Sequence, residues 1–214
     1  MSERTDFLYP FIESAEREAG PLLRDLAESA RAKAATSADL RTATLERSAP
    51  ELDAAADALA ARLTAGARVF TFGNGGSATD AAAVARLFAQ PPWGRAVPAR
   101  TLAEDPAILS ALGNDVGFEL VFARQLIAYA TAGDVAVGLS TSGNSRNVLV
   151  ALAEARRRRL LTIGLAGYDG GEMVHSGDVD HCLVVAADSV HRIQETQAAV
   201  AFALWARVQE RLDG

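Results

Sequence analysis

Two short stretches of this sequence carry residue types that could hold a small anion. Gly73-Asn74-Gly75-Gly76-Ser77 gathers glycines, an amide and a hydroxyl, and Ser140-Thr141-Ser142-Gly143-Asn144-Ser145 brings four hydroxyls together within six residues. Glycine lets a backbone approach a ligand closely, and the free amides of a helix's first turn point at whatever lies beyond it. Hydroxyls and amides without a lysine suit a phosphate monoester held by neutral donors, with the helix dipole favouring its charge. Neither stretch is a nucleotide fingerprint. Gly-x-Gly-x-x-Gly fails after Gly73, where the third glycine position is Ala78, and there is no Gly-Lys-Ser/Thr for a P-loop. ATP and NAD are disfavoured, and no cofactor is expected. One such turn alone could be a loop closed by a Ser77 or Ser145 helix cap. Two at equivalent positions of one sheet point to a ligand crevice.

The elements that must position these turns are legible in the hydrophobic pattern. From Arg68 onward, short apolar runs alternate with Gly-rich turns and amphipathic stretches, the mark of parallel βαβ units. Strands are expected at Val69 to Gly73, Val97 to Leu102, Val135 to Ser140, Leu161 to Leu165 and Cys182 to Val185. Helices are expected at Ser77 to Ala89, Asp105 to Leu112, Gly117 to Tyr129, Ser145 to Arg158 and His191 to Leu212. Ahead of them, Asp6 to about Ala65 reads as helix, with apolar spacing in Phe7, Phe11, Ala15 and in Leu52, Ala55, Leu59, Leu63, and with a break near residues 46 to 50 before Pro50. The expected division is a helical arm over residues 1–50 and one α/β domain over residues 51–214. The basic run Arg156 to Arg159 ends a helix, where cations complement its dipole.

Composition narrows the function classes. In 214 residues, half are hydrophobic, 6% are aromatic and the net charge is −6, so neither an aromatic platform nor a basic surface for nucleic acid is expected. The N-terminus lacks a basic start with an apolar run, and no stretch approaches the roughly 18 apolar residues of a membrane helix, so a cytoplasmic protein is expected. Cys182 is alone, and His175, His181 and His191 are the entire imidazole supply. His175 and His181 bracket Asp178 and Asp180 without a recognised ligand spacing, so a solvated loop is expected there and no metal site. Asp169 before Gly170 reads as turn chemistry, and Trp93 as either a pocket cover or a subunit contact.

The segments Gly73-Asn-Gly-Gly-Ser77, Gly113-Asn-Asp-Val-Gly-Phe118, Ser140-Thr-Ser-Gly-Asn-Ser145, Gly167-Tyr-Asp-Gly-Gly171 and Arg192-Ile-Gln-Glu195 resemble those of the sugar isomerase (SIS) domain family. The resemblance is to its phosphoheptose isomerase branch and the related replication-initiator-associating branch. It spans about residues 50 to 210 in order and at compatible spacing. It implies a flavodoxin-like five-stranded parallel sheet with helices on both faces, a sugar-phosphate pocket and a homotetramer. Carried over by position, Ser140, Thr141, Ser142 and Ser145 would bind the phosphate. Asn74, Gly75, Gly76 and Ser77, with Asn114 and Asp115, would line the sugar side, and Gln194 would reach in from the last helix.

Aldose–ketose isomerisation removes a proton beside a carbonyl and returns one at the neighbouring carbon, which needs a positioned acid/base pair. The resemblance implies a His and a Glu one turn apart on the helix after the first glycine turn, and a Gln followed eight residues later by a His on the last helix. Those four can also hold zinc. Here the positions fall on Ala83, Leu87, Gln194 and Phe202. Sugar-phosphate binding without that acid/base set is therefore the leading expectation. Glu195 and His191, near Gln194, are the replacement candidates if an isomerase survives. A non-enzymatic tetramer that binds another protein is the further alternative.

Overall fold

The computed structural model describes residues 19–213. The helix expected over Phe7, Phe11 and Ala15 lies outside the described residues. The described residues divide into two units between Ala38 and Asp39. Helix α1, Ala19–Arg47, crosses that division, and helix α2, Ala49–Thr64, follows it. The break falls at Ser48, with Pro50 in the first turn of α2, where its missing N–H has no intrahelical partner to lose.

The larger unit is built on five strands: β1 Val69–Gly73, β2 Ala99–Thr101, β3 Val135–Ser140, β4 Leu161–Gly167 and β5 His181–Val185. They form one all-parallel sheet in the order β2-β1-β3-β4-β5. This is the flavodoxin-like order, and it reverses direction between β1 and β3. Strands β1, β3 and β4 are buried along their whole length, which is why they read as continuous apolar runs without alternation. The edge strand β2 is shorter than the run Val97 to Leu102, because Pro98 precedes it and cannot donate to the ladder.

The connecting helices are α3 Gly76–Ala89, α4 Pro106–Asp115, α5 Val121–Tyr129 preceded by a 3-10 turn Phe118–Leu120, α6 Arg146–Arg157, α7 Gly171–His175 and α8 Val190–Asp213. Asp105 caps α4, accepting from the amides of Ala107 and Ile108 at 2.9 and 3.1 Å. Leu52, Leu59, Val84, Val200 and Trp205 pack with Val135, Val137 and Leu139 on one face of the sheet. Phe70, Phe72, Phe122, Leu126 and Leu152 pack on the other. Among the described residues no helix is long and apolar enough to cross a membrane.

The segment between His175 and His181 is exposed at His175 to Gly177, as expected of a solvated loop, but its last residue, Asp180, is anchored to the sheet. Asp180 Oδ2 accepts from Thr162 N and Oγ1, both at 3.0 Å, and Asp180 pairs with Arg156. Burial pushes its carboxyl up, yet the Thr162 bonds and the Arg156 charge outweigh that and hold it below the ordinary value. Asp180 thus fastens the start of β5 to β4. His181 Nδ1 lies 2.9 Å from Glu51 Oε1, so this imidazole ties β5 to α2. Cys182 is largely buried, and burial with the nearby Glu51 charge pushes its thiol up to about 11, which leaves it a packing group without thiolate reactivity.

Candidate functional site

Strands β1 and β3 are neighbours, and the two chemistry-bearing turns leave their carboxyl ends side by side, where the strand order reverses. In the second turn, Ser140 Oγ donates to Ser145 Oγ at 2.9 Å, and Ser142 Oγ lies 3.5 Å from Ser140 Oγ. Ser145 occupies the N-cap position of α6, but its hydroxyl makes no cap bond. The hydroxyls therefore face one another across the helix start, the arrangement an oxyanion can enter. Asn144 N donates to Ser142 Oγ at 3.2 Å, and Thr141 and Ser142 are half-buried.

The turn 167–171 buttresses this one. Gly143 has φ +66, and a Cβ there would lie 1.9 Å from the Gly170 carbonyl oxygen, so only glycine fits. Met173 N donates to Gly143 O at 3.0 Å and Glu172 N to Asn144 Oδ1 at 2.8 Å. Asp169 Oδ1 accepts from Gly171 N at 3.1 Å, the turn role its sequence implies. Short α7 places Met173, fully buried, beneath the pair of turns.

The first turn is tied to the second by a residue that sequence reasoning missed. Asn74 Nδ2 donates to Asn147 Oδ1 at 2.7 Å, and Asn147 Nδ2 returns a bond to Asn74 Oδ1 at 2.9 Å. Asn147 is 3% exposed in the first turn of α6, where an amide beside the apolar face is its only sequence signal. Gly76 lies against α8: a Cβ on it would be 2.0 Å from Gln194 Nε2. Gln194 also bonds the side chain of Asp80. Burial pushes the Asp80 carboxyl above its ordinary value against that bond, and its Oδ2 is buried with no hydrogen-bond partner. Gly75 caps α3 through its backbone, and Ser77 is buried in that helix's first turn.

Other expected residues stand apart from this cluster. Asn114 and Asp115 are exposed at the end of α4, which runs on past Leu112, and Asn114 Nδ2 donates to Asp115 Oδ1 at 2.9 Å. His191 and Glu195 are exposed in the first two turns of α8. Trp93 packs edge-on against Trp205 and Phe202, with ring centroids 4.4 and 5.8 Å away.

Ala83, Leu87 and Phe202 come together, as helical spacing on α3 and α8 requires. They line a cavity of about 390 Å³ with Asp80, Val84 and Gln197. Zinc is bound by thiolate, imidazole or carboxylate, usually four ligands in a tetrahedron. Here the walls offer alkyl groups, one phenyl ring, amides, the Arg86 guanidinium and a single carboxylate, and among the described residues no three His, Cys, Asp or Glu side chains gather closely enough to hold a metal ion. The residues present do not fit the zinc that the resemblance implies.

Comparison with known proteins agrees with the fold. The family model described as SIS domain matches residues 34–167. The phosphoheptose isomerase of Geobacter sulfurreducens is 44% identical over 163 residues, covering 73% of this chain and 83% of that protein. The phosphoheptose isomerase of Geobacter metallireducens is 46% identical over 152 residues, covering 68% of this chain and 77% of that protein. The solved phosphoheptose isomerase from Neisseria gonorrhoeae superposes with a TM-score of 0.81 at 34% identity, covering 86% of this chain and 99% of that one. With its five-stranded parallel sheet, its paired strand-end turns and these relatives, the chain belongs to the SIS domain family.

Proposed function

We propose that this protein binds a phosphorylated sugar at the carboxyl ends of β1 and β3, without the acid/base and metal set that the family resemblance implies. The observation that carries the reading is the convergence of Ser140, Ser142 and Ser145 hydroxyls at the uncapped start of α6. A phosphate monoester there takes hydroxyl donors with Thr141, while its charge meets the helix dipole. Asn74, Gly75 and Gly76 offer amides and close approach to the sugar, and Gln194 borders them. Ser77, Asn114 and Asp115 complete the sugar side, the last two presented to a neighbouring copy in a tetramer. Ala83, Leu87 and Phe202 have no titratable group, so they can neither take nor return a proton near neutral pH. The compartment that suits a phosphorylated sugar and a lone buried thiol is the cytoplasm.

Thermal-shift and calorimetric titrations with sedoheptulose 7-phosphate and hexose 6-phosphates test the reading. Stabilisation by at least one of them is expected, with Ser142→Ala weakening it roughly tenfold, one charge-assisted hydrogen bond's worth. If none stabilises, and wild type and Ser142→Ala behave alike, the reading is wrong.

A second reading, favoured by the phosphoheptose isomerases 44% identical to this chain, keeps isomerisation and uses Glu195 or His191 as replacement acid and base. It requires solvent deuterium to enter the substrate at the carbon beside the carbonyl. Unchanged exchange in Glu195→Gln and His191→Ala would remove both residues from that role. A third, a tetrameric scaffold for a protein partner, predicts a partner that co-purifies in fixed stoichiometry.

A further inference from the structure

The cavity between α3 and α8 contains buried polar groups without partners. Gln197 is 1% exposed and lines it, and neither its Nε2 nor its Oε1 has a hydrogen bond. Asp80 Oδ2, on the opposite helix, is likewise buried and unpartnered. Buried amides and carboxylates are nearly always satisfied, because leaving them bare forfeits their hydration. Around them the inner wall is alkyl and aromatic, with Ala83, Val84, Leu87 and Phe202, while Arg86 and Gln90 stand exposed at its edge. The cavity reaches Leu139, the residue directly before Ser140, and Asp80 bonds Gln194, which rests on Gly76. It therefore opens one residue below the hydroxyl turn, about 3.3 Å along the strand, and its 390 Å³ lies within the roughly 300–1,000 Å³ of small-molecule clefts.

A group suited to this space must donate one hydrogen bond, accept another and carry an apolar end. A polyol chain fits badly, since hydroxyls pressed against Leu87 or Phe202 would lose water with no replacement. A cation fits badly too, because Asp80 is the one carboxylate on the wall and the Arg86 guanidinium already brings a positive charge to it. A secondary amide with a small alkyl substituent matches each feature. Its carbonyl accepts from Gln197 Nε2, its N–H donates to Asp80 Oδ2, and its methyl lies among Ala83, Leu87 and Phe202. Gln197 Oε1 remains for a sugar hydroxyl.

We propose that the α3/α8 cavity is an acyl-amino subsite, and that the ligand class of this protein is a phosphorylated N-acylamino sugar. This rests on the sugar-phosphate reading of the Ser140–Ser145 turn.

The test is isothermal titration of the full-length wild-type protein with N-acetylglucosamine 6-phosphate and N-acetylmannosamine 6-phosphate, beside glucose 6-phosphate, mannose 6-phosphate and sedoheptulose 7-phosphate. At least one acylated sugar should bind roughly tenfold or more tighter than its parent, the effect of two buried hydrogen bonds and one buried methyl. In Gln197→Leu that ratio should fall to near one. Ala83→Phe, an exposed position at the cavity wall that leaves the core untouched, should also collapse it, which keeps the test open if Gln197→Leu does not fold. Ser142→Ala should weaken acylated and parent sugars by the same factor. If no sugar phosphate binds, the underlying reading has failed and this one with it. If sugar phosphates bind but the acylated ones gain nothing, or Ala83→Phe leaves the ratio intact, the acyl subsite alone is overturned.

Discussion

Asp134 and Asp80 are two poorly exposed carboxylates in the same α/β unit, and their surroundings are opposite. Asp134, just before β3, accepts from Arg68 N at 2.8 Å and Arg68 Nη2 at 2.7 Å, and from Thr131 N and Oγ1 at 2.8 and 3.0 Å. Burial pushes its carboxyl up, but those donors outweigh burial and hold it below the ordinary value. Asp80, one turn into α3, has one bond, to Gln194, and burial prevails. Saturation marks the first as a fastener of the amino ends of β1 and β3. The orphan oxygen of the second is the feature on which the proposed subsite rests.

The largest expected effect breaks this contrast from the stability side. Asp134→Ala should cost about 1–3 kcal/mol in chemical denaturation, because it removes a buried acceptor that holds Arg68 N, the Arg68 guanidinium and two Thr131 donors together, although the guanidinium, 41% exposed, keeps its bond to Tyr129 O. Asp80→Asn keeps the shape and the acceptor for Gln194 while removing a charge that burial disfavours. It should change stability by less than about 1 kcal/mol, towards greater stability at neutral pH. Equal losses in the two variants would end the distinction between fastener and binding group.

Acid titration sharpens the same pair, with opposite signs. Asp134 has a lowered folded-state value, so its contribution is present above the ordinary value of 3.8 and is lost as pH falls through the lowered one. Asp80 has a raised folded-state value, so what it contributes is present below 3.8 and is lost as pH rises through the raised one. The stability of wild type minus that of Asp134→Asn should therefore grow as pH rises towards 3.8 and then level. Wild type minus Asp80→Asn should fall as pH rises above 3.8. Urea denaturation across the acid range checks both, and two curves of the same sign would be inconsistent with the assignment.

Much of this was readable from the chain, and what was not has physical causes. Val69–Gly73 and Val135–Ser140 are strands at the expected bounds, since fully buried parallel strands are continuous apolar runs between turn signals. The five-residue α7 is too short for a helical period to register. The hydroxyl turn was visible because its residues are adjacent in sequence. Asn147 and Gln197 were not, because each is ordinary on its own helix and takes meaning only from a partner far along the chain, or from lacking one. The anchoring of Asp180 was hidden in the same way. Its segment is polar like a solvated loop, and only the pairing of β4 with β5 puts it against Thr162.

The smallest effect concerns a third carboxylate. Glu154 takes Arg157 Nη2 at 2.7 Å and Arg158 Nε at 2.6 Å, so two arginines of the basic run pair within their own helix, while Arg156 reaches Asp180. Burial pushes this carboxyl up, and the two arginines together hold it down. By hydrogen-bond count Glu154 resembles Asp134, yet Arg157 is 70% exposed and its charge is screened by water and salt. If exposure of the donor removed, and not the number of donors, sets the loss, Arg157→Ala, which leaves the less exposed Arg158 on Glu154, should cost less than about 0.5 kcal/mol, and the loss should shrink further in high salt. A loss comparable to that of Asp134→Ala, insensitive to salt, would mean that donor number decides, and the contrast between Asp134 and Asp80 would then rest on counting bonds alone.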